Sequence, residues 1–167
     1  MTQDTTTSPQ AEAPPCFLAD RTVGRLAKWL RILGYDTVYL PQLSPPGLMH
    51  EGRRQGRIVL TRNTRLPRQK NAPPFVFIRD DHFRQQLQQV ASECHLTPGV
   101  LLFSRCSACN HLLEVVAKET LRDSVPEYVW QTQDSFHRCP ECHRIYWGAT
   151  HKTHVLEELR RIGVLGS

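Results

Sequence analysis

"CFLADRTVGRLAKWLRILGYDTVYL", residues 16–40, is the stretch on which the fold turns. Cys16 to Ala19 is a short apolar run of strand character. From Arg21 to Leu33, the residues Val23, Leu26, Ala27, Leu30 and Leu33 recur at the 3.6-residue period, while Arg21, Arg25 and Lys28 take the other side. That spacing predicts an amphipathic helix. Gly34 stands where a helix commonly ends in a left-handed residue, and "DTVYL" (36–40) is rich in β-formers. Strand, helix and strand in direct succession predict the first unit of a mainly parallel α/β layer.

The pattern continues outward. "RIVLT" (57–61) and "FVFIR" (75–79) read as further strands, and "DDHFRQQLQQVASEC" (80–94) as a helix opening on two acids, where the helix dipole favours them. The intervening "PQLSPPGLMHEGRRQG" is broken by Pro45, Pro46 and Gly47, which leaves two helical turns around Leu48 to Gln55. Residues 105–147 have another texture: short polar segments, spaced cysteines and few long apolar runs. "THVLEELRRIGV" (153–164) closes as an amphipathic helix with Val155, Leu156, Leu159 and Ile162 as its apolar stripe. The start, residues 1–15, is polar and Pro-containing, without the basic end and apolar middle of a secretory signal, and is expected to be a disordered leader.

The chain has 167 residues, 40% of them hydrophobic and 22% charged, with a formal charge of +5. That length holds one ordinary domain and a small module. No apolar run approaches the roughly 20 residues a membrane helix needs, so a soluble, cytoplasmic protein is expected. The charge is uneven. Between Gly52 and Arg79 lie Arg53, Arg54, Arg57, Arg62, Arg65, Arg68, Lys70 and Arg79 with no acid among them. Such a stretch either keeps a face solvated or contacts the phosphates of a nucleic acid.

Four cysteines give the sharpest chemical pattern. Cys106-Ser-Ala-Cys109 and Cys139-Pro-Glu-Cys142 are two C-x2-C pairs separated by 29 residues. Two thiolates at that spacing grip one ion from a tight turn, and two such turns complete a tetrahedral sulfur site. Zinc takes four thiolates without redox chemistry, and four protein ligands leave no open position, so a structural zinc is expected. A redox pair needs only one C-x2-C, and a cytoplasmic setting disfavours disulfides. His111, His137 and His143 lie close by and are read as neighbours of the ligands.

Acids at strand ends form the second pattern. In parallel α/β sheets, sites gather at the carboxyl ends of strands. Asp20 follows the first strand; Asp80 and Asp81 follow "FVFIR". If those two strands are neighbours, the carboxylates converge and could hold Mg or Mn. The competing role for each is to cap the helix that follows. Asp36 begins a strand and belongs at the opposite edge.

"FLADRTVGRLAKWLRILGYDT", "GRIVLTRN", "FSRCSACN" and "HRCPECHRIYWGATH", in this order, resemble the Mut-seven C-terminal RNase domain family. The resemblance implies a PIN-like parallel sheet flanked by helices, then a small zinc ribbon and a C-terminal helix. The chain would divide into a leader (1–15), a PIN-like α/β domain (16–104), the ribbon (105–147) and a helix with tail (148–167). It also implies a metal-dependent ribonuclease with Asp20, Asp80 and Asp81 as catalytic acids. Where the family carries Thr-Arg-Asp after the third strand, this chain has Thr61-Arg62-Asn63, so Asn63 is a neutral replacement. Near the family's acid-rich helix start only Glu51 remains. RNA would be held by Arg21, Arg25, Lys28, Arg62, Arg65 and Arg68. Two other classes compete with the nuclease: a non-catalytic RNA-binding protein on the same fold, and a zinc-ribbon adaptor for other proteins.

Overall fold

The structure is a computed structural model and describes residues 13–66, 71–97, 99 and 101–165. Arg68 and almost all of the expected leader lie outside the described residues. Among the described residues, no helix is long and apolar enough to cross a membrane.

The chain is mixed α/β. Four strands, β1 (Phe17–Ala19), β2 (Thr37–Tyr39), β3 (Ile58–Thr61) and β4 (Phe75–Phe77), pair in parallel in the order β2-β1-β3-β4. Helix α1 (Gly24–Ile32) connects β1 to β2 and α2 (Pro45–Gln55) connects β2 to β3, with a single 3-10 turn, Arg21–Val23, leading into α1; α3 (Phe83–Glu93) follows β4. Side-chain alternation divides the strand residues between two faces. Phe17, Ala19, Leu60 and Val76 face the main core with Leu26, Leu30, Leu87 and Val90 of α1 and α3. Leu18 and Val59 face the other way, onto Leu48 and Met49 of α2. Full burial of each such side chain is worth about 1.5–3 kcal/mol, so both faces contribute to holding the sheet.

Two expectations need correction. The segment at 45–55 is a full helix, not two turns. Ser44 accepts a hydrogen bond from the Gly47 backbone N–H, and Pro45 and Pro46 fill the first two helical positions. Proline belongs there, because its missing N–H is one the first turn would leave unpaired in any case. Secondly, β1 and β4 are not neighbours; β3 lies between them. The other boundaries move by a few residues. The final helix, α5, spans Ala149–Arg161 and lays Val155 and Leu159 into the main core.

Gly34 ends α1 at φ +92°, and a side chain there would collide with the carbonyl of Leu101. Residues 105–147 form a second, antiparallel sheet, with strands β5 (Glu114–Val116), β6 (Phe136–Arg138) and β7 (Ile145–Trp147) in that order and a short helix α4 (Glu127–Thr132). Its core holds only Leu121, Val125 and Phe136 as buried residues, too little apolar surface to hold a module of this size without further support.

Candidate functional site

At the carboxyl edge of the parallel sheet, β1 runs into Asp20 and β3 into Thr61. Asp20 is buried, with 7% of its surface exposed. Its Oδ1 accepts from the backbone N–H of Thr22 at 2.8 Å and from the Thr22 hydroxyl, and its Oδ2 accepts from the Thr61 hydroxyl. Asp20 therefore caps the 3-10 turn, and the same carboxylate is tied to the end of β3. A carboxylate has about four lone-pair positions, so these three donors leave little unspent. Thr61 Oγ1 in turn accepts from Asn63 N at 3.0 Å, and Asn63 Oδ1 accepts from Arg65 N at 2.8 Å. The Arg62 N–H donates to the Thr22 hydroxyl, which closes the link between the two corners.

Asp20, Asn63, Arg21 and Arg65 thus line one cavity of about 590 Å³, with Thr22 and Thr61 and with Gln42 and Ser44 from the loop before α2. Asp81 lines a separate pocket of about 200 Å³ with Arg25, His82, Phe83 and Arg84; Thr22 lines both. The separation follows from the strand order, since the β3 corner stands between the ends of β1 and β4. Asp80, Asp81 and His82 keep ligand atoms within 4.8 Å of one another. Asp20 joins no such group among the described residues. Asp80 accepts from His82 N at 2.8 Å, and that N–H holds its carboxyl below the usual range. Glu51, on α2, accepts from Arg54 and Gln55; those bonds lower its pKa to about 2, and it is not among the residues lining the Asp20 cavity.

Of the expected RNA contacts, Arg21, Arg65 and Arg25 line these two pockets, while Lys28 and Arg62 line neither. Arg21 and Arg65 face the first. Arg25 lies over the Phe83 ring, 3.9 Å from its centroid, and Trp29 stacks on Phe83 at 5.3 Å. Lys28 is exposed on α1, and Arg62 has a buried Nε without a hydrogen-bond partner. Three other bases of the acid-free stretch are spent on ion pairs, Arg54 with Glu51, Arg57 with Asp36 and Arg79 with Glu93. Sequence reasoning missed Thr22 and Thr61, the hydroxyls that orient Asp20. A threonine two residues after a strand-end Asp, and another closing β3, were the available signals.

The four cysteines come together. Cys106 Sγ lies 3.5 Å from Cys142 Sγ, and Cys109 Sγ 3.3 Å from Cys139 Sγ; all four sulfurs lie within 4.8 Å of one another. Zinc–sulfur bonds of about 2.3 Å make a tetrahedron with edges of about 3.8 Å, so the set fits a single zinc-sized ion. Both turns are built alike. Cys109 N and Cys142 N point at the sulfur three residues earlier, and Asn110 and His143 follow in left-handed conformation at φ +77° and +59°. The Tyr146 hydroxyl lies 3.0 Å from Cys106 Sγ. Burial works against the Cys106 thiolate, but this hydroxyl and the N–H groups of Cys109 and Ala108 outweigh it and lower its pKa to about 6. Burial and the neighbouring sulfurs push Cys109 up to about 12, the crowding a cation would relieve. Among the described residues, no histidine belongs to this cluster.

Against known proteins, the Mut7-C RNAse domain family model matches residues 15–159. No curated protein and no solved structure matches the chain. A match over nearly the whole length, carrying both the parallel sheet and the cysteine cluster, is sufficient: the chain belongs to the Mut7-C RNAse domain family.

Proposed function

We propose that the protein is a metal-dependent ribonuclease acting in RNA processing or turnover, with a partly depleted acidic site at the Asp20 corner. In this reading residues 16–104 carry the catalytic layer, 105–147 a ribbon around one structural zinc, and 148–167 a helix that returns to the layer. The observation that supports it most is the shared cavity of Asp20, Asn63, Arg21 and Arg65 at the carboxyl edge of the sheet in a Mut7-C domain. A Mg or Mn ion bound there would make a bound water more acidic and offset charge on the scissile phosphate. Asp20 would supply negative charge to the ion and Asn63 a neutral oxygen, with Asp81 in the adjoining pocket and Asp80 beside it as further carboxylates. Thr22 and Thr61 hold the Asp20 carboxylate in one orientation. Arg21 and Arg65 are placed to take backbone phosphates, and Arg25 is held over Phe83 as a third contact.

The second reading is a non-catalytic RNA-binding protein. It is favoured by the commitment of both Asp20 oxygens to Thr22 and Thr61, and of the Asn63 oxygen to Arg65 N. RNA cleavage measured with and without Mn, in the wild type and in Asp20→Asn, separates the two. The nuclease predicts Mn-dependent cleavage that falls about a hundredfold or more in the variant, roughly 2.7 kcal/mol of barrier. Salt-sensitive binding without cleavage in either protein selects the binding module, and absence of both leaves the adaptor.

A further inference from the structure

One buried guanidinium joins the first cysteine turn to the parallel layer. Arg31, on α1, is 7% exposed. Its Nε donates to the Thr37 carbonyl at 2.8 Å, at the start of β2. Its Nη1 donates to the carbonyls of Ser107 and Ala108 at 3.3 and 2.7 Å, the two residues between Cys106 and Cys109. These bonds run to carbonyls and none to a carboxylate, yet burying a cation costs several kcal/mol unless an opposite charge stands nearby. Burial is the largest influence on the Arg31 pKa and lowers it; thiolates at Cys106 and Cys109 are the next and raise it. A divalent ion with four thiolates carries an excess of negative charge. A loaded centre would therefore supply counter-charge for Arg31, together with Asp36.

The surrounding bonds run between the same two segments. Asn110, immediately after the turn, accepts from Thr37 N at 2.9 Å and donates to Asp36 at 2.7 Å. Arg105 donates to the Gly34 carbonyl at 3.1 Å, and Phe103 N donates to the Ile32 carbonyl. Each of these bonds reaches the layer within residues 31–37, the end of α1 and the start of β2. We propose that Arg31 is the positioning residue that fastens the metal centre to the parallel layer, so that emptying the centre loosens the end of α1 and β2 as well as the ribbon.

This rests on the cysteine set holding zinc, and the test separates the two claims. Hydrogen exchange is measured along the full chain, zinc-loaded and after chelation. Zinc release to a competing chelator is timed for the wild type, for Arg31→Met and for Arg160→Met, which alters an exposed arginine of α5. Amides of residues 31–39 are expected to exchange at least tenfold faster after chelation, with those of α3 much less affected. Arg31→Met is expected to weaken zinc binding about ten- to a hundredfold, the range for residues that support metal ligands, with Arg160→Met unchanged. Exchange that rises only within 105–147, or equal zinc release from both variants, overturns the fastening role and leaves the zinc site standing. A chain that takes up no zinc overturns both. If Arg31→Met fails to fold, the wild-type exchange comparison decides alone.

Discussion

In the proposed nuclease, Asn63 is the residue at which the site departs from an acidic one. Its oxygen accepts from Arg65 N and its own N–H donates to Thr61, the hydroxyl that also holds Asp20. An aspartate there can make the same turn, because the carboxylate oxygen replaces the amide oxygen as acceptor. It would also add a second negative charge to the cavity. At an effective dielectric of about 20, two charges a few Å apart interact by several kcal/mol before solvation offsets it. Asn63→Asp is therefore expected to lower the melting temperature of the metal-free chain, to widen the rise in melting temperature that Mn produces, and to raise Mn-dependent cleavage at least tenfold. Unchanged cleavage and an unchanged Mn response would leave the corner as a phosphate contact only. The Thr61→Val variant probes the other side of the bond. It keeps the shape of the side chain and removes a donor to a buried carboxylate, so a loss of about 1.5–3 kcal/mol in chemical denaturation is expected.

Among the elements, α2 is where propensity and structure diverge, and the reason is local. Pro45, Pro46 and Gly47 are poor residues inside a helix, but they occupy its first turn, where the Ser44 hydroxyl accepts from Gly47 N. Ser44→Ala is expected to cost about 1 kcal/mol in urea denaturation. Further along the helix, Gly52 lies against β3, and a methyl added there would come within 2.5 Å of Val59 Cγ2. The strands and α1 were legible because their signals are periodic and short-range: apolar runs of three or four residues, a helical stripe, and Gly34 at the turn. The cysteine turns were legible because C-x2-C fixes its own geometry. Strand order was not, since the insertion of β3 between β1 and β4 depends on pairing β1 with a strand 41 residues further along the chain. That insertion is also why Asp20 and Asp81 line adjoining pockets instead of one. The strands of the ribbon were less legible because two of the three, Glu114–Val116 and Phe136–Arg138, carry charged residues in place of a continuous apolar run.

For the whole molecule, the question is what keeps two sheets with separate cores in one arrangement. Asp36, read from the sequence only as the start of a strand away from the site, stands at the centre of the answer. Its carboxylate takes two bonds from Arg57, at 2.8 and 3.2 Å, and one from Asn110 of the first cysteine turn, and Arg105 approaches it to 4.0 Å. One side chain thus touches β2, the start of β3 and the ribbon. Burial works against its charge, but the bonds from Arg57 and Asn110 outweigh it and hold its pKa below the ordinary 3.8. A carboxyl whose pKa is lower folded than unfolded binds protons more readily when unfolded. Its contribution is therefore complete at neutral pH and is lost as pH falls below 3.8 towards the folded value. Asp36→Asn is expected to be about 1–2 kcal/mol less stable than the wild type at pH 7, allowing for the partial exposure of the pair. The gap should narrow as pH drops through that window. Proton-driven loss of any metal bound by the cysteines would affect both proteins, so it would lower both curves and leave their difference to report on Asp36. A gap that stays constant from pH 7 to pH 3 would show that residue 36 holds the modules together by shape and neutral hydrogen bonds, with no part played by its charge.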